Sequence, residues 1–122
     1  LGDFSHATVL WWLDRFDTEE HRRKTRMKPP FDAPELGVFC LKTPMRPNPV
    51  AVTTVKIDEV DAATGVVSIS RIDAFDGTPI LDIKAYMPAV DRVRSPETPS
   101  WAAGWPEWMP DEGLDVDRMP DE

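Results

Sequence analysis

Hydrophobic and polar positions alternate along several short stretches of the chain, and this period of two predicts β-strands. The alternation is clearest over residues 50–60, where the odd-numbered side chains from Ala51 to Ile57 share one face. A turn at residues 62–65 and a return at residues 66–72 complete a predicted β-hairpin.

Three further apolar stretches predict strands. The first, residues 4–13, is rich in aromatic and β-branched side chains, which predicts a strand buried on both faces, although periodicity alone leaves a helix open. The others lie at residues 37–41 and 80–86. Between them, residues 14–35 predict a long excursion with one helical turn, and residues 43–49, with three prolines, predict a stiff loop. Short strands with Pro and Gly connections indicate a mainly β, antiparallel sheet or barrel.

The last quarter of the chain has a different character. Residues 92–122 are rich in proline and contain Trp101, Trp105 and Trp108, with an acidic stretch that begins at residue 106 and should fray at its end. We expect this irregular extension to pack on the barrel formed by residues 1–91 or on a dimer mate, because large exposed apolar patches are rare.

Length and charge limit the function. With 122 residues the chain fits one domain, and its net charge of −8 argues against a broad basic surface for nucleic acid. Residues 21–28 are nevertheless basic and could meet phosphate, although the pattern favours a solvated loop, since charge runs are common on surfaces.

Several kinds of site are excluded. One cysteine and two histidines do not make a zinc centre, and a lone Cys40 inside an apolar strand is expected to be a core residue.

The lone cysteine also indicates a reducing, cytoplasmic compartment. The longest apolar run, residues 7–13, is shorter than the ~20 residues of a membrane span. Because the chain starts at Leu1, we expect an upstream segment to be missing.

Two loops carry candidate chemistry. In the first, residues 42–49, three prolines fix the backbone around Arg46 and Asn48, which are candidates for binding substrate. A purely structural loop, with Arg46 paired to a carboxylate, is the alternative.

The second loop runs from residue 73 into a strand. Gly77 permits a tight turn and close approach to a ligand, and its polar neighbours can hydrogen-bond to that ligand. Asp82 and Lys84 share one face of the following strand, and Tyr86 comes next. A hairpin with a cross-strand salt bridge is the alternative.

Together these motifs resemble the TrmO (YaeB, TsaA-like) family. The resemblance covers residues 1–91 and rests on motifs in a fixed order: Gly2-Asp3-Phe4-Ser5-His6, Gly37-Val38-Phe39, Arg46-Pro47-Asn48-Pro49, Asp76-Gly77-Thr78-Pro79-Ile80-Leu81-Asp82-Ile83-Lys84, and Tyr86. It implies a small single-sheet β-barrel, a homodimer, and binding of S-adenosylmethionine (SAM). It also implies methylation of N6 of threonylcarbamoyl-adenosine in tRNA. The residues at cofactor-binding positions of the family are Asp14, Arg15, Lys42, Val52, Asp76, Gly77, Thr78 and Pro79.

The chain departs from the family pattern at several of these positions. The strand-end histidine is Asp14, and the arginine before the proline loop is Lys42, which keeps the charge but loses the planar fork. For the chemistry we consider Asp82, Lys84 and Tyr86 as catalytic candidates, either as bases or to orient the acceptor. A methyltransferase acting on a smaller acceptor and a SAM- or ligand-binding module without catalysis stay open as alternatives.

Overall fold

The computed structural model describes residues 1–110 and is mainly β. The predicted acidic, frayed end of the tail, residues 111–122, lies outside the described residues. The strands are β1 (His6–Trp12), β2 (Arg26–Met27), β3 (Leu36–Gly37), β4 (Val50–Asp61), β5 (Val66–Ile69) and β6 (Ile80–Ala85); the helices are α1 (Glu19–Arg22) and α2 (Pro88–Asp91). Short 3-10 turns lie at Asp14–Phe16, Val38–Cys40 and Ser100–Ala102.

Four of the strands form one antiparallel sheet in the order β5-β4-β1-β6. The central strand β1 pairs with the first half of β4, from His6 opposite Lys56 to Trp12 opposite Val50. The second half of β4 pairs with β5. The predicted class, an antiparallel β fold, is therefore confirmed. Within residues 1–110 the sheet is open at β5 and β6, so the described part of the chain does not close a barrel.

The core lies on one face of this sheet. Ala7, Val9 and Trp11 of β1 are buried there with Val55 of β4, which confirms the predicted alternation of β4. The opposite face of β1 is only half-buried, so the expectation of a strand buried on both faces is wrong. On the buried face, side chains of the segment after β5, such as Ile72 and Ala74, pack against the core, whereas the alternate side chains of β1 on the opposite face are half-buried.

The hairpin between β4 and β5 is confirmed. The carboxylate of Asp61 accepts hydrogen bonds from the backbone N–H groups of Ala63 (3.0 Å) and Thr64 (3.3 Å). A hydrogen bond from the side chain of Thr64, followed by these two backbone bonds, holds the pKa of Asp61 below its ordinary value, against a smaller opposing contribution from desolvation. Gly65 closes the turn with φ +72°, a conformation that side chains with a Cβ rarely adopt.

The excursion at residues 14–35 contains the helical turn α1, as predicted, together with the 3-10 turn at Asp14–Phe16 and the short strand β2. Thr18 caps α1 by accepting a hydrogen bond from the backbone N–H of His21 (3.2 Å). The predicted strand at residues 37–41 is wrong: the chain pairs only at Leu36–Gly37 and then enters a 3-10 turn. As a result Cys40 is exposed rather than in the core, and Phe39 is 83% exposed.

The described part of the tail packs on this excursion through an aromatic cluster. The ring of Phe31 stacks on Trp101 at a centroid distance of 5.6 Å and meets Trp105 edge-on at 4.8 Å. The two indoles also contact each other at 5.7 Å. The tail is thereby tied to its own chain at residues 101–105.

Candidate functional site

The two loops singled out in the sequence meet at the C-terminal end of β1. The backbone N–H of Trp12 donates to the carbonyl of Pro79 (3.0 Å), and that of Leu13 donates to the carbonyl of Pro49 (2.8 Å). The amides of Trp12, the last residue of β1, and of Leu13 directly after it therefore hold the turn before β6 and the proline loop before β4. The two loops therefore lie on opposite sides of the C-terminal end of β1.

The turn before β6 depends on its glycine. The backbone N–H of Thr78 donates to the carbonyl of Phe75 (3.1 Å), and Gly77 between them has φ +82°. A positive φ at the third position of a four-residue turn is the geometry that favours glycine. The turn aims Thr78 at the space beside β1.

The proline loop is held by its own arginine. One nitrogen of the Arg46 guanidinium, Nη1, donates to the carbonyls of Leu41 (2.9 Å) and Thr43 (3.4 Å). The alternative in which Arg46 pairs with a carboxylate has no support in these contacts, because its partners are backbone carbonyls. Pro49 at the end of the loop is fully buried and anchors it.

Between the loops lies a cavity of about 720 Å³. This volume falls in the range of ~300–1,000 Å³ typical of small-molecule sites. The cavity runs along residues 50–54 of β4, which β5 leaves unpaired on that side. Trp11 forms part of the wall, and its indole N–H donates to the hydroxyl of Thr53 (3.0 Å). The lining thus combines apolar and aromatic surface with a few polar groups.

The charged lining residues come from different segments. The cations are Arg15, Lys42, Arg46 and Arg71, and the carboxylates are Asp14 and Asp73. The cavity is therefore locally cationic in a chain whose net charge is −8. The guanidinium of Arg15 lies 3.9 Å above the ring of Phe75, a cation–π contact that joins the end of β1 to the turn before β6.

Some of the residues predicted for ligand binding converge on this cavity and others do not. Those that line it are Asp14, Arg15, Lys42, Val52, Thr78 and the substrate candidate Arg46. Those that do not are Asp76, Gly77 and Pro79, which build the exposed turn around Thr78, and Asn48, which is exposed on the proline loop. Of these four, Gly77 shapes the turn through its positive φ, and Pro79 accepts the hydrogen bond from Trp12 that holds the turn to β1.

The three catalytic candidates lie elsewhere. Asp82 and Lys84 stand opposite Leu10 and Thr8 in the register of β1 and β6, on the face away from Val9. Tyr86 contacts the ring of His6 at a centroid distance of 6.3 Å, near the start of β1. None of the three lines the cavity, so its geometry does not support their assignment as catalytic residues.

The chemistry of Asp82 also argues against a role as base. Its carboxylate lies 2.9 Å from the ammonium nitrogen of Lys84. The hydrogen bond and the charge of Lys84, followed by the backbone N–H of Ile83, hold the pKa of Asp82 below its ordinary value. A carboxylate with a lowered pKa is a weaker proton acceptor.

Sequence reasoning missed several lining residues. Phe75 lies in the second candidate loop but was not named as a ligand-binding residue, and Arg71 lies just upstream, in the predicted return strand of the hairpin. Trp105 and Met109 reach the cavity from the tail. The richness of the tail in tryptophan was the available signal, but it does not indicate which surface the rings cover.

The basic run at residues 21–28 is largely neutralised by nearby carboxylates. Arg22 pairs with Asp17 (3.0 Å), and Arg23 pairs with Glu19. Arg26 lies 3.3 Å from Glu35. These pairs are exposed and contribute little to stability, but they reduce the positive potential of the run.

Residues 1–110 lack two further kinds of feature. They contain no helix long and apolar enough to cross a membrane. Nor do they contain a group of three or more His, Cys, Asp or Glu side chains arranged to hold a metal ion.

Comparison with known proteins identifies the family. Residues 1–92 match the family described as the tRNA-methyltransferase O N-terminal domain. The chain belongs to this TrmO family. The resemblance drawn from the sequence motifs is thereby confirmed.

Relatives of known name agree with this membership. The chain is 39% identical over 97 residues to an S-adenosyl-L-methionine-binding protein of Archaeoglobus fulgidus, covering 80% of this chain and 66% of that protein. It is 38% identical over 93 residues to the mouse tRNA (adenine(37)-N6)-methyltransferase, covering 75% of this chain and 20% of the mouse protein.

Solved structures of TrmO resemble the fold. One crystal structure of TrmO has 30% sequence identity and a TM-score of 0.60, with 79% of this chain and 39% of the other covered. TrmO from Pseudomonas aeruginosa has 30% identity and a TM-score of 0.56, with 77% and 36% covered. The chain therefore spans at most about two-thirds of the length of these relatives.

Proposed function

We propose that the cavity at the end of β1 binds SAM and that the chain forms part of a SAM-dependent methyltransferase acting on N6 of an adenosine in tRNA. One observation carries the proposal. Five of the eight positions that the family resemblance assigns to the cofactor, contributed by four separate segments, line a single cavity: Asp14, Arg15, Lys42, Val52 and Thr78.

The donor set of the cavity fits SAM. SAM carries a carboxylate, an ammonium, a sulfonium and an adenine ring. Lys42 and Arg46 offer charge-assisted hydrogen bonds to the carboxylate. Asp14 and Asp73 offer negative charge to the cationic groups, and aromatic rings such as Phe75 offer stacking surface to the adenine.

Bound SAM would supply an electrophilic methyl group at its sulfonium. The protein then has to orient the acceptor nitrogen and exclude water. The rigid proline loop, held by Arg46, and the turn that presents Thr78 provide this orientation. Asp14 and Asp73 are the carboxylates of the described lining and are our candidates for accepting the proton of an N–H acceptor.

The tRNA substrate is supported by the names of the mammalian relatives, which are tRNA (adenine(37)-N6)-methyltransferases. We propose that the target is threonylcarbamoyl-adenosine, as the family resemblance implies. The cationic lining of the cavity suits the carboxylate of that nucleoside and the phosphates beside it.

A second function, SAM binding with a smaller acceptor or without catalysis, is favoured by a different observation. The arginines of the basic run are paired with carboxylates, which weakens the one segment that could hold RNA phosphates. Methylation of tRNA by the purified protein separates the two functions. Transfer of label to tRNA supports the first, and SAM binding without transfer supports the second.

The first experiment is a calorimetric titration of SAM into the protein, with Gly77→Val as the test variant. We expect micromolar binding by the wild type. The variant should lose most of it, because a β-branched residue does not adopt φ +82° and the turn must displace Thr78. Absence of SAM binding by the wild type, or full affinity in Gly77→Val, would contradict the proposed site.

Gly65→Val is the matched control. Gly65 also has a positive φ, and a Cβ would meet open space at both glycines. Both substitutions should therefore cost a similar amount of stability, about 1–3 kcal/mol. Only the one beside the cavity should reduce SAM affinity, since the hairpin turn at Gly65 does not line it.

We also propose that the protein is a cytoplasmic homodimer, as the resemblance implies. The open edge at β6, with half-exposed Ile80, Leu81 and Ile83, supports a second copy as the partner. The lone exposed thiol of Cys40 supports a reducing compartment. Sedimentation of the wild type and of Leu81→Lys tests the dimer, and a wild-type monomer at micromolar concentration would contradict it.

A further inference from the structure

The tail contributes to the cavity although it lies outside the family match. That match ends at residue 92, yet Trp105 and Met109 both line the cavity. The segments within the family match therefore provide most of the walls, and the tail, which lies outside that match, completes them.

Trp105 is held firmly in place. Its indole meets Phe31 at an interplanar angle of 82° and Trp101 at 72°, both edge-to-face contacts. Phe31 and Trp101 stack on each other, and the residues on either side of Phe31 in sequence include the buried Pro29 and Ala33. Three mutually packed rings fix the orientation of Trp105 without using all of its surface, and the half-buried indole borders the cavity.

We propose that Trp105 is a stacking surface for a purine ring bound in the cavity. This inference rests on the proposed function, which places a purine there from either of two sources: the adenine of SAM or the adenine of the acceptor nucleotide. A large, rigid indole whose conformational entropy has already been lost suits a flat aromatic ligand.

Trp108 provides an internal control. It belongs to the same tail and is also an indole, but it is 60% exposed and does not line the cavity. Its ring instead lies under the guanidinium of Arg92, at 4.3 Å. Removing it should leave purine binding unchanged.

The test uses the full chain with the variants Trp105→Ala, Trp105→Phe and Trp108→Ala. Two ligands are titrated by calorimetry: SAM alone, and adenosine 5′-monophosphate in the presence of saturating S-adenosylhomocysteine. We expect Trp105→Ala to weaken one of the two by roughly 5- to 100-fold, the effect of removing one aromatic stacking partner of a base. Trp105→Phe should recover much of the loss, and Trp108→Ala should bind like the wild type.

The pattern of losses identifies the source of the purine. A loss for SAM assigns the ring to the cofactor, and a loss confined to the monophosphate assigns it to the acceptor. Unchanged affinity for both ligands in Trp105→Ala, or equal losses in Trp105→Ala and Trp108→Ala, would overturn the inference while leaving the proposed function intact. A wild type that binds neither ligand would overturn both. Thermal unfolding of each variant checks that the fold is retained, and Trp105→Phe, which keeps an aromatic ring in the cluster, guards against a folding defect in the alanine variant.

Discussion

Strands β1 and β6 lie side by side and pair from Ala7 opposite Ala85 to Trp11 opposite Ile80, yet they differ in almost every physical respect. The central strand β1 buries one face in the core and ends at the cavity. The edge strand β6 is exposed along most of its length, and its charges, Asp82 and Lys84, pair with each other.

This difference shows that the two halves of one sequence motif, residues 76–84, have different structural roles. The stretch from Asp76 to Lys84 reads as a single family motif, but its first half forms the turn that presents Thr78 to the cavity. Its second half is the edge strand, which supports that turn from outside. Similarity to a family marks both halves, whereas only the first borders the site.

The largest effect on SAM affinity is expected in the proline loop beside β1, and a much smaller one at the charges on β6. Arg46→Ala removes two hydrogen bonds to loop carbonyls and a cation of the cavity, and it should weaken SAM binding by about 30- to 100-fold, or ~2–3 kcal/mol. Calorimetric titration measures the change.

Lys84→Met is the corresponding substitution on β6. Its ammonium pairs with Asp82 away from the cavity, so SAM affinity should stay within about two-fold, which corresponds to ~0.4 kcal/mol. An equal loss in both variants would mean that β6 belongs to the site and that the division between the strands is wrong.

The next effect compares the stability of paired residues. Val9 and Ile83 face each other across the two strands, but Val9 is 5% exposed and Ile83 is 43% exposed. Val9→Ala should reduce the free energy of unfolding by about 2 kcal/mol, although it removes fewer carbon atoms than Ile83→Ala. In the monomeric protein, at concentrations too low for the proposed dimer, Ile83→Ala should cost less, about 1 kcal/mol or below, because much of that side chain is then in water. Urea unfolding gives both values, and the reverse order would indicate that a partner covers β6.

The smallest effect concerns pH. The pKa of Asp82 is below its ordinary value in the folded protein, so ionisation of this carboxyl stabilises the fold. This contribution is fully present above the unfolded pKa. It is lost below about pH 4, as the pH falls through the folded pKa. Lys84→Met should raise the pKa of Asp82, since the first cause of the shift is Lys84. Carboxyl-carbon NMR titration measures it. An unchanged pKa would assign the shift to the backbone N–H of Ile83 instead.

The sequence predicted the sheet well because strand periodicity reports burial directly. The alternation of β4 and the hairpin at Gly65 follow from local side-chain and turn preferences. The segment after Gly37 was predicted wrongly, since a short apolar run does not distinguish a buried strand from an exposed 3-10 turn. Phe39 and Cys40 are apolar residues that the fold leaves in water.

The candidate site was predicted in part. Lys42, Val52 and Thr78 come from the resemblance, and the fold brings them to one cavity. The strand register, and the path of the neighbouring segments across the sheet, decide which residues of a strand face the cavity. Neither is determined by the local sequence. For the same reason the position of Trp105 required the structure: it depends on packing with Phe31, more than seventy residues upstream.

The exposed Cys40 has a practical consequence. It is the one cysteine of the sequence, and it lies two residues before Lys42 at the rim of the cavity. A maleimide dye or spin probe would therefore attach at a single position of the unaltered protein, next to the loop that Arg46 holds. The same thiol can link two molecules covalently in air, so preparations need a reductant to keep such adducts from imitating a natural assembly.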